Sequence, residues 1–290
     1  MPPETGKATA QDFNFESIVL RRIDGSSLVL YPPPKDDDAT YQIFQGMDLT
    51  EGIYEPTVKG SITVRDAYSA FEGFNLAGGE LLEVKAFTPN DEGEAVSDKH
   101  KIDCVFIVHD FQKITNEASE SISGSGTGQV YWKLDFCTPE FYLLKQEESY
   151  LETDFIGKIA GDDGLVNVLS DKYFSGDDQG GKNRVMQEDK IETTHNSVFL
   201  KKNNLMYPWN KDRSNPNLYS LLDTLSENSL SDNNPNAANY LFYNTTDGYA
   251  FESVNNMIIR GNDEGIREFT VDSKKPEDPN VAEYIASLSE

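Results

Sequence analysis

The chain has little of the chemistry that most enzymes are built from. Its 290 residues include only two cysteines and three histidines. Cys104 and Cys137 fall in strand-like runs at a spacing that fits no zinc pattern, and two cysteines do not make a disulfide framework. They read as buried free thiols that behave as small hydrophobes. His100 falls in a turn, His109 on a strand and His195 in a polar segment, none at metal-ligand spacing. The acid pairs and triplets at Asp36–Asp38, Asp162-Asp163 and Asp177-Asp178 lack the every-second-position ligands and closing Glu of a calcium loop. Ser123-Gly-Ser-Gly-Thr-Gly128 is glycine-rich, but no Lys-Ser/Thr and no helical pattern follow it, so it reads as a loop rather than a phosphate cradle. No apolar run approaches the roughly 18–20 residues of a membrane span. The opening Met1-Pro-Pro-Glu-Thr-Gly-Lys has no apolar core of the kind a secretory signal needs. The expectation is a protein with no catalytic residue, cofactor, metal or membrane insertion, made in a cytoplasm.

Bases are scarce too: 25 Lys and Arg stand against 50 Asp and Glu, a formal net charge of −25. A nucleic-acid-gripping protein needs basic stripes to displace counterions, so specific DNA or RNA binding is not expected. A carboxylate-lined wall past which DNA slides without sticking is compatible with this charge, and so is plain solubility.

What the chain does have is alternation. Ile18–Ile23 and Leu28–Tyr31 flank Asp24-Gly-Ser-Ser27, a hairpin turn. Tyr41–Phe44 and Thr57–Arg65 read as further strands. A short helix is expected within 67–76, with Phe71 and Phe74 on one side. Leu82, Val84 and Ala86 alternate with polar neighbours. Lys101–Phe111 is apolar on both faces, as where a barrel wall meets a second layer. Val130, Trp132, Leu134 and Phe136 form one face of another strand. About seven strands before Thr138-Pro139 make an antiparallel β-barrel or sandwich the economical architecture.

Beyond Pro139 the pattern is mixed. Short helices are expected over 141–149, over 154–160 with Thr153 or Asp154 as cap, and over Leu165–Tyr173. Ser175–Asn183 reads as a mobile loop. The clearest helix runs from Pro216 to Ser229, with Asn215 as cap and Leu218, Leu221, Leu222 and Leu225 as an apolar stripe. Asn244-Thr-Thr-Asp-Gly248 signals a second hairpin, and Val281–Leu288 a late helix. The expected organisation is a flexible arm (1–15), a β-barrel domain (16–138), a mixed α+β domain (139–238) and a hairpin opening a second, reduced barrel (239–290).

One segment is more specific. In Asp48-Leu-Thr-Glu-Gly-Ile-Tyr-Glu-Pro-Thr-Val-Lys-Gly-Ser-Ile-Thr-Val-Arg-Asp66 the strand has Val58, Gly60, Ile62 and Val64 on one face. Lys59, Ser61, Thr63 and Arg65 lie on the other. Gly60 marks a bulge or a close backbone approach. This pattern resembles the first domain of the baseplate hub protein of contractile-tailed phages of the T-even type. Asn239-Tyr-Leu-Phe-Tyr-Asn-Thr-Thr-Asp-Gly-Tyr-Ala-Phe-Glu-Ser-Val254 is similar to the hairpin opening that family's later barrel-like domain.

The resemblance implies a non-enzymatic virion protein of the tail baseplate, with tail-tube-type barrels. It implies a homotrimeric ring joining the hexameric tail tube and its terminating ring above to a trimeric central spike below. Wedge or other baseplate proteins would surround the ring, and DNA would pass through its channel. It makes the polar face of Lys59, Ser61, Thr63 and Arg65 the candidate subunit-contact or lumen surface. Fewer than sixty residues follow Ala238, too few for a second complete barrel unless it draws strands from the middle region. Two rival readings stand beside it: a β-rich glycan- or receptor-binding module, suggested by Tyr207-Pro-Trp209, and an acidic cell-wall hydrolase.

Overall fold

A computed structural model describes residues 14–32, 44–66, 70–87, 89, 101–116, 129–145, 154–174, 181–200, 217–234 and 239–263. Expectations for the arm before residue 14, the Asp36–Asp38 loop, residues 117–128, Tyr207–Trp209 and the 281–288 helix lie outside the described residues. The chain divides into two compact units, Met1–Val254 and Asn255–Glu290.

The fold is mainly β, built around a curled antiparallel half-barrel. Its seven strands are β1 (Asn14–Arg21), β2 (Ser27–Tyr31), β3 (Phe44–Thr50), β4 (Lys59–Asp66), β5 (Leu81–Phe87), β6 (Lys101–Asn116) and β7 (Gln129–Cys137). They lie in the order β2-β1-β5-β6-β7-β4-β3. Period-two patterning dictates the packing, because alternate side chains must leave water together. Ile18 and Leu20 of β1, Ile62 and Val64 of β4, Leu82 and Val84 of β5, Cys104, Phe106 and Val108 of β6, and Leu134 and Phe136 of β7 form one buried cluster. The β1–β2 turn is fixed locally: the Asp24 carboxylate accepts hydrogen bonds from the amide and hydroxyl of Ser26, and Gly25 takes φ +85°.

Although β2 and β3 share no ladder, the curl brings their ends together through aromatic rings. Phe15, Tyr31 and Phe44 meet edge-on, with the Tyr31 and Phe44 centroids 6.2 Å apart. Helix α1 (Ala70–Phe74) inserts Phe71 into the cluster, where it stacks on Trp132. Asp66 holds this corner by accepting from the Phe71 amide and the Trp132 indole.

Gly60 is a close approach rather than a bulge. Its register with β7 is unbroken, but a Cβ there would collide with the Asp48 carbonyl of β3 and lie 2.8 Å from the Phe136 ring.

A second region follows with its own core. Helices α2 (Pro139–Leu144), α3 (Leu165–Tyr173) and α4 (Leu218–Glu227) accompany two small sheets. One pairs β8 (Phe155–Lys158) with β10 (Ser197–Leu200); the other has the order β11-β12-β9, from β9 (Met186–Ile191), β11 (Tyr240–Thr245) and β12 (Gly248–Ser253). The β11–β12 hairpin thus pairs in parallel with β9 and shares one apolar cluster with the α4 leucines and with Leu165 and Leu169 of α3. In the second unit the described element is α5 (Val254–Asp263).

Three expectations change. Residues 154–160 are not a helix: Phe155–Lys158 are paired by β10, and an apolar run this short does not distinguish the two periods. The cap of α4 is Asn217, whose side chain accepts from the Ser220 amide at 2.8 Å, and not Asn215, which lies outside the described residues. Asn183 does not belong to a mobile loop. It sits in a 3-10 turn (Lys182–Arg184) and is fully buried.

Candidate functional site

The polar face of β4 comes first. Ile62, Val64 and Asp66 point inward, leaving Lys59, Ser61, Thr63 and Arg65 outward. Their neighbours follow from register: Ser61 lies between Asp48 and Asp135, Thr63 between Gly46 and Lys133, and Arg65 beside Tyr131. Lys133 pairs with Asp135 at 3.1 Å. These four residues share one outer face, and Lys59 among them lines a concavity.

That concavity is a cleft of about 360 Å3 at the start of β4, near the lower end of the roughly 300–1,000 Å3 typical of ligand pockets. Three strands, two helices and a loop build it. The loop before β4 supplies Glu55 and Thr57, and β4 supplies Lys59, which pairs with Glu55. A β-bulge between Val108 and Asp110 leaves His109 without a partner on β7, turning it into the cleft, as bulges commonly re-aim a side chain. Helix α2, started by Pro139 because proline suits a first turn, brings Phe141 and Tyr142, with Lys145 just beyond it. Helix α4 contributes Tyr219.

One wall is therefore aromatic. Phe141 and Tyr219 meet edge-on at 5.7 Å, and the Lys145 ammonium lies 4.1 Å from the Phe141 ring centroid and 5.8 Å from that of Tyr219. Such a cation over a ring is held by the ring quadrupole. Burial, then Asp223 and Glu55, raise the Tyr219 pKa, so the phenol remains a donor at neutral pH. Cys137 closes the floor; burial pushes its thiol up to about 11, with Lys145 opposing and Glu140 reinforcing the shift. A thiol kept protonated in this way is a poor nucleophile. Cys104 is likewise buried and its pKa raised by burial. Among the described residues no group of three or more His, Cys, Asp or Glu is arranged to hold a metal ion.

The residues that sequence reasoning missed are Phe141, Lys145 and Tyr219. The first two carry a signal, aromatic and cation four apart on a helix opened by proline. Tyr219 carries none, because it arrives from another helix.

Beside the cleft, two asparagines join the half-barrel to the second region. Asn244, fully buried on β11, accepts through Oδ1 from the Val58 amide and the Thr138 hydroxyl, and donates to the Asn183 carbonyl. Asn183 in turn donates to the Val105 carbonyl and accepts from the Val105 amide. This turn covers the outer side of β6 at Val105, so that strand is buried on both faces there. Arg184 and Glu140 form a buried ion pair at 2.6 Å in the same seam.

No protein-family model matches the chain, and a search of curated proteins finds no significant match.

Proposed function

We propose that the chain is a structural hub subunit of a contractile-tail baseplate, with a tail-tube-type half-barrel, that acts as a homotrimeric ring. In this reading it adapts the hexameric tail tube and its terminating ring to a trimeric central spike. Wedge proteins surround it, DNA passes through its channel, and it resides in the virion after assembly in the host cytoplasm. The hairpin at Tyr240–Ser253, with β9, is the reduced counterpart of a second barrel. The role is assembly rather than catalysis.

The observation carrying this reading is the placement of the signature segment. It forms the end of β3, the loop after it and β4, at one side of the half-barrel, so the alternation of β4 serves both the core and an outward polar face. Among the described residues, strand β3 ends the sheet order and no further strand pairs with its outer edge; ring closure between copies is one way to hide such an edge. The polar row Lys59, Ser61, Thr63 and Arg65 lies next to that edge, where a neighbouring subunit or the channel would meet it.

Light scattering of the purified protein over a concentration series tests the proposal. A species near three times 32.5 kDa, formed alone or on adding spike protein, supports it; a strict monomer under both conditions removes it. The rival recognition-module reading is favoured by one described feature, the Phe141–Tyr142–Tyr219 wall. Glycan binding by the isolated monomer would establish it.

A further inference from the structure

The cleft beside β4 sets an exposed cation over two aromatic rings within one concavity. We propose that it is a docking site for an acidic segment of a partner protein, one that sets a carboxylate beside an aromatic or large aliphatic side chain. The inference does not depend on the hub reading.

Lys145 is the centre of the argument. In a chain with twice as many acids as bases, this exposed ammonium has no carboxylate partner among the described residues and is instead poised over two aromatic rings. The rings fix its position without neutralising it, leaving its outward side for an anion. Lys59 stands in the same cleft with its charge shared by Glu55, and the bulge adds the His109 imidazole. The floor and one wall are apolar, and the rim continues into exposed apolar side chains: Leu143 next to Tyr142, and Tyr54 next to Glu55. A cation above an aromatic wall suits a ligand with the same two parts. Its carboxylate meets Lys145 and its apolar neighbour lies against Tyr142 and Phe141. With a net charge of −25 the chain as a whole disfavours an acidic segment, so a cation held over aromatic rings sets both where and in what orientation it lands. A volume of about 360 Å3 holds one large side chain with its flanking carboxylate, not a folded domain.

The test is fluorescence polarisation on the full chain. The probes are fluorescein-labelled Gly/Ser octapeptides with an Asp-Phe-Asp centre, or with Asn-Phe-Asn as the uncharged analogue. Saturable binding of the acidic peptide is expected, clearly tighter than the Asn analogue and weakened by raising the salt. Lys145→Met keeps the stem and removes the charge, and an expected weakening of about fivefold follows from the loss of one partly exposed ion pair. Lys172→Met removes a lysine set over a different ring, that of Tyr173, and leaves binding unchanged; circular dichroism checks that both variants are folded. Equal binding of the two peptides, no saturable binding, or equal behaviour of the two variants overturns the proposal. So does self-association of the chain that Lys145→Met abolishes in the absence of peptide binding, since it would assign the cleft to a second copy.

Discussion

The half-barrel and the region packed behind it are held together in different ways. In the half-barrel most strand neighbours are also close in sequence: β1 with β2, β3 with β4, and β5 through β7 in series. Its core is apolar, and of its buried acids Glu80 is used locally while Asp66 ties the start of α1 to Trp132 on β7. Glu80 accepts from the amides of Ala77 and Gly78 at the turn before β5. The second region draws its partners from far apart, β9 with β12 and β8 with β10, and buries many more polar groups. Glu192 accepts from the Ser231 hydroxyl and the Ser253 amide, and Glu252 accepts from the Tyr243 phenol. Alternation suffices to align strands that follow one another. Elements that meet from a distance can slide along an apolar contact, and the Glu192 bonds to Ser231 and Ser253 form in one position only. Such buried hydrogen bonds specify position more sharply than they add stability.

The sharpest way to break that contrast is at the seam. Asn244→Ala removes an acceptor for Val58 and Thr138 and a donor to Asn183; the Val58 amide keeps the Thr138 hydroxyl, while the buried Asn183 carbonyl loses its Asn244 donor. At about 1–3 kcal/mol for a group left unsatisfied, with the seam's cross-links weakened as well, the expected loss is about 2–4 kcal/mol. In a Trp209→Phe background, where tryptophan fluorescence reports Trp132 in the half-barrel alone, urea unfolding followed by fluorescence and by far-ultraviolet dichroism should then give separated transitions where the parent gives one. Coincident transitions at an unchanged midpoint would show that the seam does not couple the two cores. Gly60→Ala is the counterpart within the half-barrel. Its new Cβ meets the Asp48 backbone and the Phe136 ring, and overpacking of this kind typically costs about 1–3 kcal/mol. Both probes should shift together, because the damage lies inside one cooperative sheet. A variant as stable as the parent would mean that β3 yields freely at this point.

The same contrast explains what could be read from residues alone. Six of the seven strands, all but β3, the inward faces of β4, β5 and β7, the two-faced burial of β6 and the special role of Gly60 are legible, because each is a local consequence of period two or of a missing side chain. Leu165–Tyr173 was legible at period 3.6. Strand β3 was not, since Phe44–Thr50 alternates weakly and is held by β4. Strand β8 was mistaken for a helix because its partner, β10, lies some forty residues on. The cleft was half-visible: Lys59 was singled out on the polar face, while Lys145, Phe141 and Tyr219 take their meaning from the packing of α2 against α4. Asn183 and Asn244 looked like turn residues, and nothing nearby in sequence announces that they are buried.

The smallest effect concerns the two thiols, one in each setting. Cys104 lies deep in the half-barrel core, whereas Cys137 lines the cleft at the seam. A thiol-specific disulfide reagent should therefore modify Cys137 before Cys104, and both slowly at neutral pH. The folded-state pKa of Cys137 is raised from about 9 to about 11, because burial disfavours the thiolate. Its contribution to stability is then fully present below pH 9 and declines as the pH rises towards 11, where the unfolded chain gains by ionising first. The buried tyrosines and Cys104 also have raised pKa values and act in the same direction, so the difference between parent and Cys137→Ala isolates this residue. Urea midpoints measured from pH 8 to pH 11 should fall more steeply for the parent than for the variant. Parallel curves would mean that the Cys137 thiol is no harder to ionise in the folded protein than in the unfolded chain, and that the floor of the cleft is open to water.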